Sequence, residues 1–297
     1  MLFASFSVAF MVYSIRYAYS MMMPYMMQDL GLNYAQAGLI YSSYMAAYLL
    51  ASLFVGFLVD VHDLRRVVLA FLPFIAAGTA LMAAASSLLT ASLFFGVAGL
   101  GASVGWTPLA IWIQRAYPER RGTYLGFLQV GVNAGFGILG LIMPWMLSAI
   151  GWRGVWGILG LASAAWLIPA VWLAKSSTRP PANISFGDYL RGFTSVLREG
   201  AFWLGGGSYM AAAFAIMTPL TFSADYAKYL RAGTAWESGL FTIIGFVAMV
   251  GIAIPAFSDQ VGREKALALN NVLMAAGLAG SAIARSFLSL IVWTVVV

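Results

Sequence analysis

Apolar runs of about twenty residues, separated by short polar stretches, make up nearly the whole chain. A run of that length crosses the hydrocarbon core of a bilayer as a helix, so each run predicts a membrane span. The runs fall at about 2–27, 34–58, 67–85, 88–117, 122–147 and 155–173, then at 202–224, 239–257 and 266–284, and a tenth opens near residue 286. The first reads as a span rather than a cleaved leader, because it runs on past Met21 without a small-residue cleavage site. One long polar stretch, 175–200, holds Arg179, Pro180, Pro181, Asp188, Arg191, Arg198 and Glu199. It predicts a cytoplasmic linker with a short surface helix from Ser185 to Arg198. The expected organisation is a six-span bundle over 1–174, the linker over 175–200, and a partial second bundle over 201–297.

The two halves carry the same device. Gly56 to Arg66 holds Asp60, Arg65 and Arg66 between the second and third runs, and Pro255 to Lys265 holds Asp259 and Arg263 between the eighth and ninth. Asp60 and Asp259 lie 199 residues apart, the mark of an internal repeat in a membrane protein. A small residue lets helix ends approach, an acid accepts from a positive helix N-terminus, and Arg grips a carboxylate or carbonyl in a fork. Together they make a latch that breaks and re-forms. Leu173 lies 113 residues after Asp60, but only 38 residues follow Asp259. By symmetry the second bundle is expected to be truncated by about 75 residues, two to three spans.

Composition agrees and excludes other classes. Apolar residues are 62% of 297 and charged residues 9%, against roughly 25% charged in soluble domains. The expected class is an all-α polytopic membrane protein. Cysteine is absent and His62 is the single histidine, so disulfides, thiolate metal sites and His clusters are ruled out and no cofactor is implied. Arg65, Arg66, Arg115, Arg120, Arg121, Lys175, Arg179, Arg191, Arg198, Arg263 and Lys265 fall on one side, against Arg153, Lys228, Arg231 and Arg285 on the other. Positive loops face the cytoplasm, which puts the N-terminus there and the chain in the cytoplasmic (inner) membrane. This topology accounts for the net charge of +6 without nucleic acid. No nucleophile–base pair or carboxylate dyad suggests an enzyme.

The loop resembles the major facilitator superfamily signature Gly-x-Leu-Ala-Asp-Arg-x-Gly-Arg-Arg. The first copy keeps Gly56, Leu58, Asp60 and Arg65 and departs at Val61 and Asp63; the second keeps Asp259, Gly262 and Arg263 and has Pro255 at the opening Gly. The resemblance implies the major facilitator fold, two pseudo-symmetric helix bundles rocking around a midplane site. It also implies that Gly56, Asp60, Arg65, Asp259 and Arg263 form the conformational latch.

Arg16 sits near the middle of the first run, with Tyr13 before it and Pro24-Tyr25 after it. A charge at that depth faces a cavity or a partner. Either it pairs with helix carbonyls or an interfacial acid, or it grips an anion in a fork. The spacing resembles span 1 of organophosphate:phosphate antiporters and, more loosely, of anion:cation symporters. Gly105-Trp106-Thr107-Pro108 and Asn133 with Gly135 and Gly137 resemble motifs of the same branch. The departures are Ser52, where those exchangers often carry Lys, and a seventh span without Arg. A phosphate dianion wants more than one cation, so a singly charged carboxylate fits better. The expected substrate site is Arg16, Tyr13, Tyr44, Asn133 and Tyr209. The expected partners are a small organic anion, the lipid bilayer, and a coupling proton or cation, in a monomer unless the chain is a subunit of a complex. Two rivals stand: a broad-specificity efflux permease, against which Phe95 replaces the Arg common in drug/proton antiporters, and a non-transporting sensor or assembly subunit.

The other features read as packing. Gly101/Gly105 and Gly131/Gly135 are small pairs four apart that let helices approach. The methionines of 21–27 are pliable lining, Gly205-Gly206-Gly207 is a bend, and His62 is a solvated loop residue.

Overall fold

The structure, a computed structural model, describes residues 1–174, 185–230, 242–248 and 263–296. The described residues are helical with short turns and contain no strand. Two compact units divide the chain, residues 1–182 and 183–297.

The first unit holds helices α1 (Leu2–Leu30), α2 (Tyr34–Val61), α3 (Leu64–Leu81), α4 (Leu88–Ala102), α5 (Thr107–Ala116) and α6 (Arg121–Trp172). Local chemistry sets their ends. Gly31, at φ 64°, takes the left-handed conformation that closes α1. Asn33 and Gln36 form a reciprocal cap at the start of α2, and Ser87 and Thr90 form another at the start of α4. The Asp63 side chain accepts from the Arg66 backbone N–H at 3.1 Å and so caps α3. That accounts for the acid where the loop signature has glycine. His62 is exposed, as expected for a loop residue.

The fourth predicted span is two helices. Pro108 has no N–H and its ring would strike the carbonyl four residues back, so the ladder breaks at Ser103–Trp106 and α5 restarts with Pro108 in its first turn. The fifth and sixth predicted spans share α6, 52 residues long, in which Gly151 alone is non-helical. At φ 65° and ψ 174° Gly151 occupies a region open essentially to glycine, and it turns the chain between the two spans. Among the described residues five helices are long and apolar enough to cross a membrane. One of them, residues 122–172, is 51 residues or about 76 Å long, enough for two crossings. Gly151→Ala meets no neighbouring atom within 4 Å, so its cost is backbone strain. The expected loss is about 1–3 kcal/mol, read as a lower melting temperature of the detergent-purified protein.

Small residues join the helices. α1 packs on the first half of α6, α2 on α4, and α3 on α4 and the second half of α6. A Cβ on Gly135 would lie 2.5 Å from Ser14 Oγ and 2.6 Å from the Phe10 carbonyl, and one on Gly131 would lie 3.0 Å from the Phe6 ring. This pair therefore seats a single helix, α1. Gly101 and Gly105 serve two helices: Gly101 abuts Ile75 of α3, and Gly105 abuts Val12 of α1. Gly99 lets the Tyr44 carbonyl of α2 come against α4, where the Ser43 hydroxyl also donates to the Ser92 carbonyl at 2.8 Å.

At the end opposite the Gly56–Arg66 loop, one guanidinium ties three connections. Arg153 donates to Asp29 at the end of α1 and, at 3.2 Å, to the Ala85 carbonyl after α3, while its guanidinium lies 4.1 Å over the Trp152 ring. Asp29 and Arg153 each stand two residues from a glycine of positive φ, Gly31 and Gly151.

The second unit contains α7 (Phe186–Val196), α8 (Gly200–Tyr229) and helices Arg263–Ala282 and Phe287–Val296. α7 is the predicted surface helix. It is capped by Ser185 and has no buried residue. The Trp203 indole donates to the Leu197 carbonyl at 2.8 Å and closes the corner between α7 and α8.

Candidate functional site

The site is built on α1 and α2 within the first unit. Residues three or four apart share a helix face, so Tyr13, Arg16 and Tyr17 lie together on α1, as do Tyr41, Tyr44 and Tyr48 on α2. Arg16 Nε donates to the Tyr41 hydroxyl at 3.0 Å. Its guanidinium carbon lies 5.8 Å from the Tyr13 ring centroid, within reach of the ring's negative face. Arg16 is half-buried.

Behind the guanidinium stands an aromatic wall. Phe95 of α4 is fully buried, stacks on Tyr44 at 4.5 Å and on Tyr19 at 5.0 Å, and meets Trp156 edge-on at 5.6 Å. Tyr19 packs 5.8 Å from Tyr41, and its hydroxyl donates to the Ala37 carbonyl at 2.6 Å, one turn before Tyr41 on α2. Tyr17 packs on Phe136 of α6 at 4.4 Å. The Tyr44 hydroxyl is buried and has no hydrogen-bond partner among the described residues. It lies within electrostatic reach of Arg16, Tyr41, Tyr48 and Tyr13. A buried hydroxyl without a partner loses its share of hydration, so a ligand oxygen there would restore a bond.

Of the expected site residues, the structure brings Tyr13, Arg16 and Tyr44 together. Asn133 is half-buried on α6, where its side-chain oxygen accepts from Gln129 Nε2 at 3.3 Å. It lies about 200° round the helix from Gly131 and Gly135, off the seam with α1. Tyr209 is on α8 of the second unit and is exposed. Tyr41 stands beside Arg16 although the sequence reading does not place it there, and its 3–4 spacing with Tyr44 and Tyr48 marks a common face.

At the latch, Asp60 ends α2 and its ion pair is with Arg115 of α5, at 3.9 Å, rather than with Arg65 of its own loop. Asp60 is exposed and Arg115 half-buried, and a pair open to solvent on one side contributes roughly 0–1 kcal/mol. Gly56 is half-buried on α2 and Arg65 half-buried in the first turn of α3. Asp259 lies outside the described residues, and Arg263 opens the helix that runs to Ala282.

Residues 5–297 match the family model described as Major Facilitator Superfamily. Among curated proteins the chain is similar to a probable hexose phosphate transport protein of Chlamydia pneumoniae, 25% identical over 150 residues. That match covers 50% of this chain and 33% of the relative, so the chain aligns with about a third of the curated relative's length. Among solved structures it is similar to a bacterial homologue of the human lysosomal transporter Spinster in an inward-facing, unoccupied conformation. The identity is 17% and the TM-score 0.72, over 99% of this chain and 71% of that one. A POT peptide transporter in complex with sulfate is 16% identical with a TM-score of 0.73, over 99% and 78% of the two chains. At these identities the structural likeness is one of fold.

Proposed function

Because the chain belongs to the major facilitator superfamily, we propose that it works as a secondary transporter moving a small organic anion, a carboxylate, across the cytoplasmic membrane by alternating access. The observation that carries this reading is Arg16 among Tyr13, Tyr41 and Tyr44, with the Tyr44 hydroxyl buried and unpartnered among the described residues. One cation with neutral hydroxyls balances one negative charge. The fork of the guanidinium matches the two oxygens of a carboxylate. A ligand contribution from Asn133 and Tyr209 belongs to the same proposal. So do the orientation with the N-terminus in the cytoplasm, and the latch formed by Gly56, Asp60, Arg65, Asp259 and Arg263, to which the ion pair of Asp60 joins Arg115.

A second reading has its own support. The curated relative is named for hexose phosphate, and a phosphate ester is an anion too. It carries up to two charges, and Ser52 stands where a second cation would be expected on α2. A thermal-shift panel on the full chain in detergent separates the readings. Monocarboxylates are expected to raise the melting temperature, by about 2.7 kcal/mol of binding linkage at a hundred times Kd, with hexose phosphates and lipophilic cations inert. A shift with hexose phosphates alone replaces the carboxylate reading with the ester, and a shift with cations alone overturns both.

The latch has a separate signature. Asp60→Asn is expected to slow transport in proteoliposomes several-fold while leaving affinity within about twofold and the melting temperature nearly unchanged, since the pair contributes at most ~1 kcal/mol. Loss of binding at unchanged rates would move Asp60 into the substrate site.

A further inference from the structure

We propose that α7 lies in the lipid–water boundary where α8 enters the bilayer, with its apolar stripe against acyl chains, so that the partner of this surface is the membrane itself. The observation is a sided helix that its own chain leaves uncovered. At about 100° per residue, Phe186, Tyr189, Leu190, Phe193 and Val196 fall within an arc of about 120°. Asp188, Arg191, Ser195 and, in the following turn, Arg198 fall on the other side. Phe186, Leu190, Phe193 and Val196 are 37–46% exposed, and no residue of α7 is buried. Phe186 and Tyr189 stack along the stripe at 6.5 Å.

Such a helix needs a cover to be stable. α7 has 11 residues, and isolated helices shorter than roughly 12–15 residues are marginal in water. Its ends are well made. Ser185 Oγ accepts from the Asp188 N–H at 3.1 Å, and the Asp188 carboxylate stands in the first turn. Asp188 also pairs with Arg191 at 3.0 Å on the polar side. Caps and one exposed ion pair do not replace the packing of an apolar face. A boundary that takes the stripe out of water does.

Continuity with the bilayer selects the occupant. Trp203 Nε1 donates to the Leu197 carbonyl at 2.8 Å, which joins the end of α7 to the first turn of α8, the seventh apolar run. A Trp at the mouth of a span sits at headgroup level, so the C-terminal end of α7 is held at that level too. Eleven residues extend about 16 Å, too short to cross a core of roughly 30 Å and long enough to lie along its surface. Helices of this kind bury the apolar face about 5–10 Å into the boundary. The charges of residues 185–199 cancel, Asp188 and Glu199 against Arg191 and Arg198. The stripe, rather than attraction to anionic headgroups, therefore seats the helix, and neutral lipid is expected to suffice.

The test uses single cysteines in the full chain, which has none of its own. Leu190→Cys and Phe193→Cys report on the stripe, and Ser195→Cys on the polar side. Each variant carries a thiol-linked fluorophore and is reconstituted in phosphatidylcholine vesicles. With acyl-brominated phosphatidylcholine, labels at 190 and 193 are expected to be quenched several-fold more than the label at 195. Aqueous iodide on both sides of the membrane is expected to give the reverse order. Iodide quenching at 190 and 193 equal to that at 195 overturns the proposal, because α7 is then a solvated helix. Protection of 190 and 193 from both quenchers overturns it too, because protein then covers the stripe. A pattern that appears only when phosphatidylglycerol is added overturns the apolar seating. Phe193→Glu combined with Leu190→Cys is an independent check. A charge on the stripe is expected to raise iodide quenching at 190 to the level at 195, whereas Ser195→Glu leaves it unchanged. Undiminished bromolipid quenching at 190 in Phe193→Glu counts against the stripe as the anchor. If Phe193→Cys does not fold, Val196→Cys takes its place in the comparison. Substrate plays no part in these measurements, so they stand apart from the anion reading.

Discussion

Arg16→Ala is expected to abolish anion binding and uptake while leaving a folded, detergent-stable protein. Arg16 is the fifteenth of the 29 residues of α1 and so lies at its midpoint. At 1.5 Å per residue it stands about 21 Å from either helix end, too deep for its side chain to reach an interface. On insertion scales a charge at that depth costs about 2.5–3.5 kcal/mol. Removing it takes away a cost along with the Tyr41 bond, so the fold survives. The site keeps only neutral hydroxyls, and loss of a charge-assisted contact of roughly 1.5–3 kcal/mol lowers affinity at least tenfold. Arg16→Lys is expected to fall between, since a point charge cannot reproduce the fork. Thermal shift with a monocarboxylate, followed by uptake in proteoliposomes, checks both variants. Full uptake by Arg16→Ala would end the anion reading.

Gly135→Leu is expected to damage the protein more than any change at the latch. Its Cβ alone would sit 2.5 Å from Ser14 Oγ and 2.6 Å from the Phe10 carbonyl, and the second of these is backbone. A backbone atom cannot rotate away, so α1 and α6 must separate. With them go the Tyr17–Phe136 contact at 4.4 Å and the Phe6–Gly131 approach. Overpacking of this kind costs about 1–3 kcal/mol or more, which for a bundle of this size lowers the melting temperature by about 5–10 °C. Gly38→Ala is the control. Gly38 lies inside α2 with no atom within 4 Å of the new methyl, and the change is expected to be neutral or stabilising by up to about 1 kcal/mol. Equal melting temperatures for the two variants would mean that the α1–α6 seam is not close-packed.

The positions of the helices are legible in the sequence because a run of about twenty apolar residues matches the thickness of the hydrocarbon core and little else in protein structure. The turn at Gly151 falls between two predicted spans, and the surface helix at 186–196 falls within the polar stretch. Side-chain partners are far less legible. In a membrane bundle the lipid-facing and partner-facing sides of a helix are both apolar, so hydropathy does not say how a helix is rotated or at what depth it meets its neighbour. Arg16 is conspicuous as a charge, but its bond to Tyr41 rather than Tyr44 depends on the relative rotation of α1 and α2. Asp60 is conspicuous in its loop, yet its partner Arg115 comes from α5, 55 residues on. Arg153 enters the sequence reading only through topology, although it ties three connections. Gly105-Trp106-Thr107-Pro108 carries a family resemblance, and the break that Pro108 imposes on the ladder becomes visible only in the backbone.

The Arg16–Tyr41 bond also bears on how the chain enters the membrane. The seat of α1 on α6 joins Phe6 to Gly131, residues 125 positions apart. At about 5–20 residues per second of synthesis, α1 waits on the order of ten seconds before that surface exists. Tyr41 is only 25 residues from Arg16, on the next helix to emerge. The one charge at the middle of α1 is therefore hydrogen-bonded as soon as α2 inserts, while most of the bundle is still to be synthesised. Pairing a half-buried cation with the adjacent helix, and leaving the glycine seam to close later, lets a charged first helix stay in lipid long enough to be built upon.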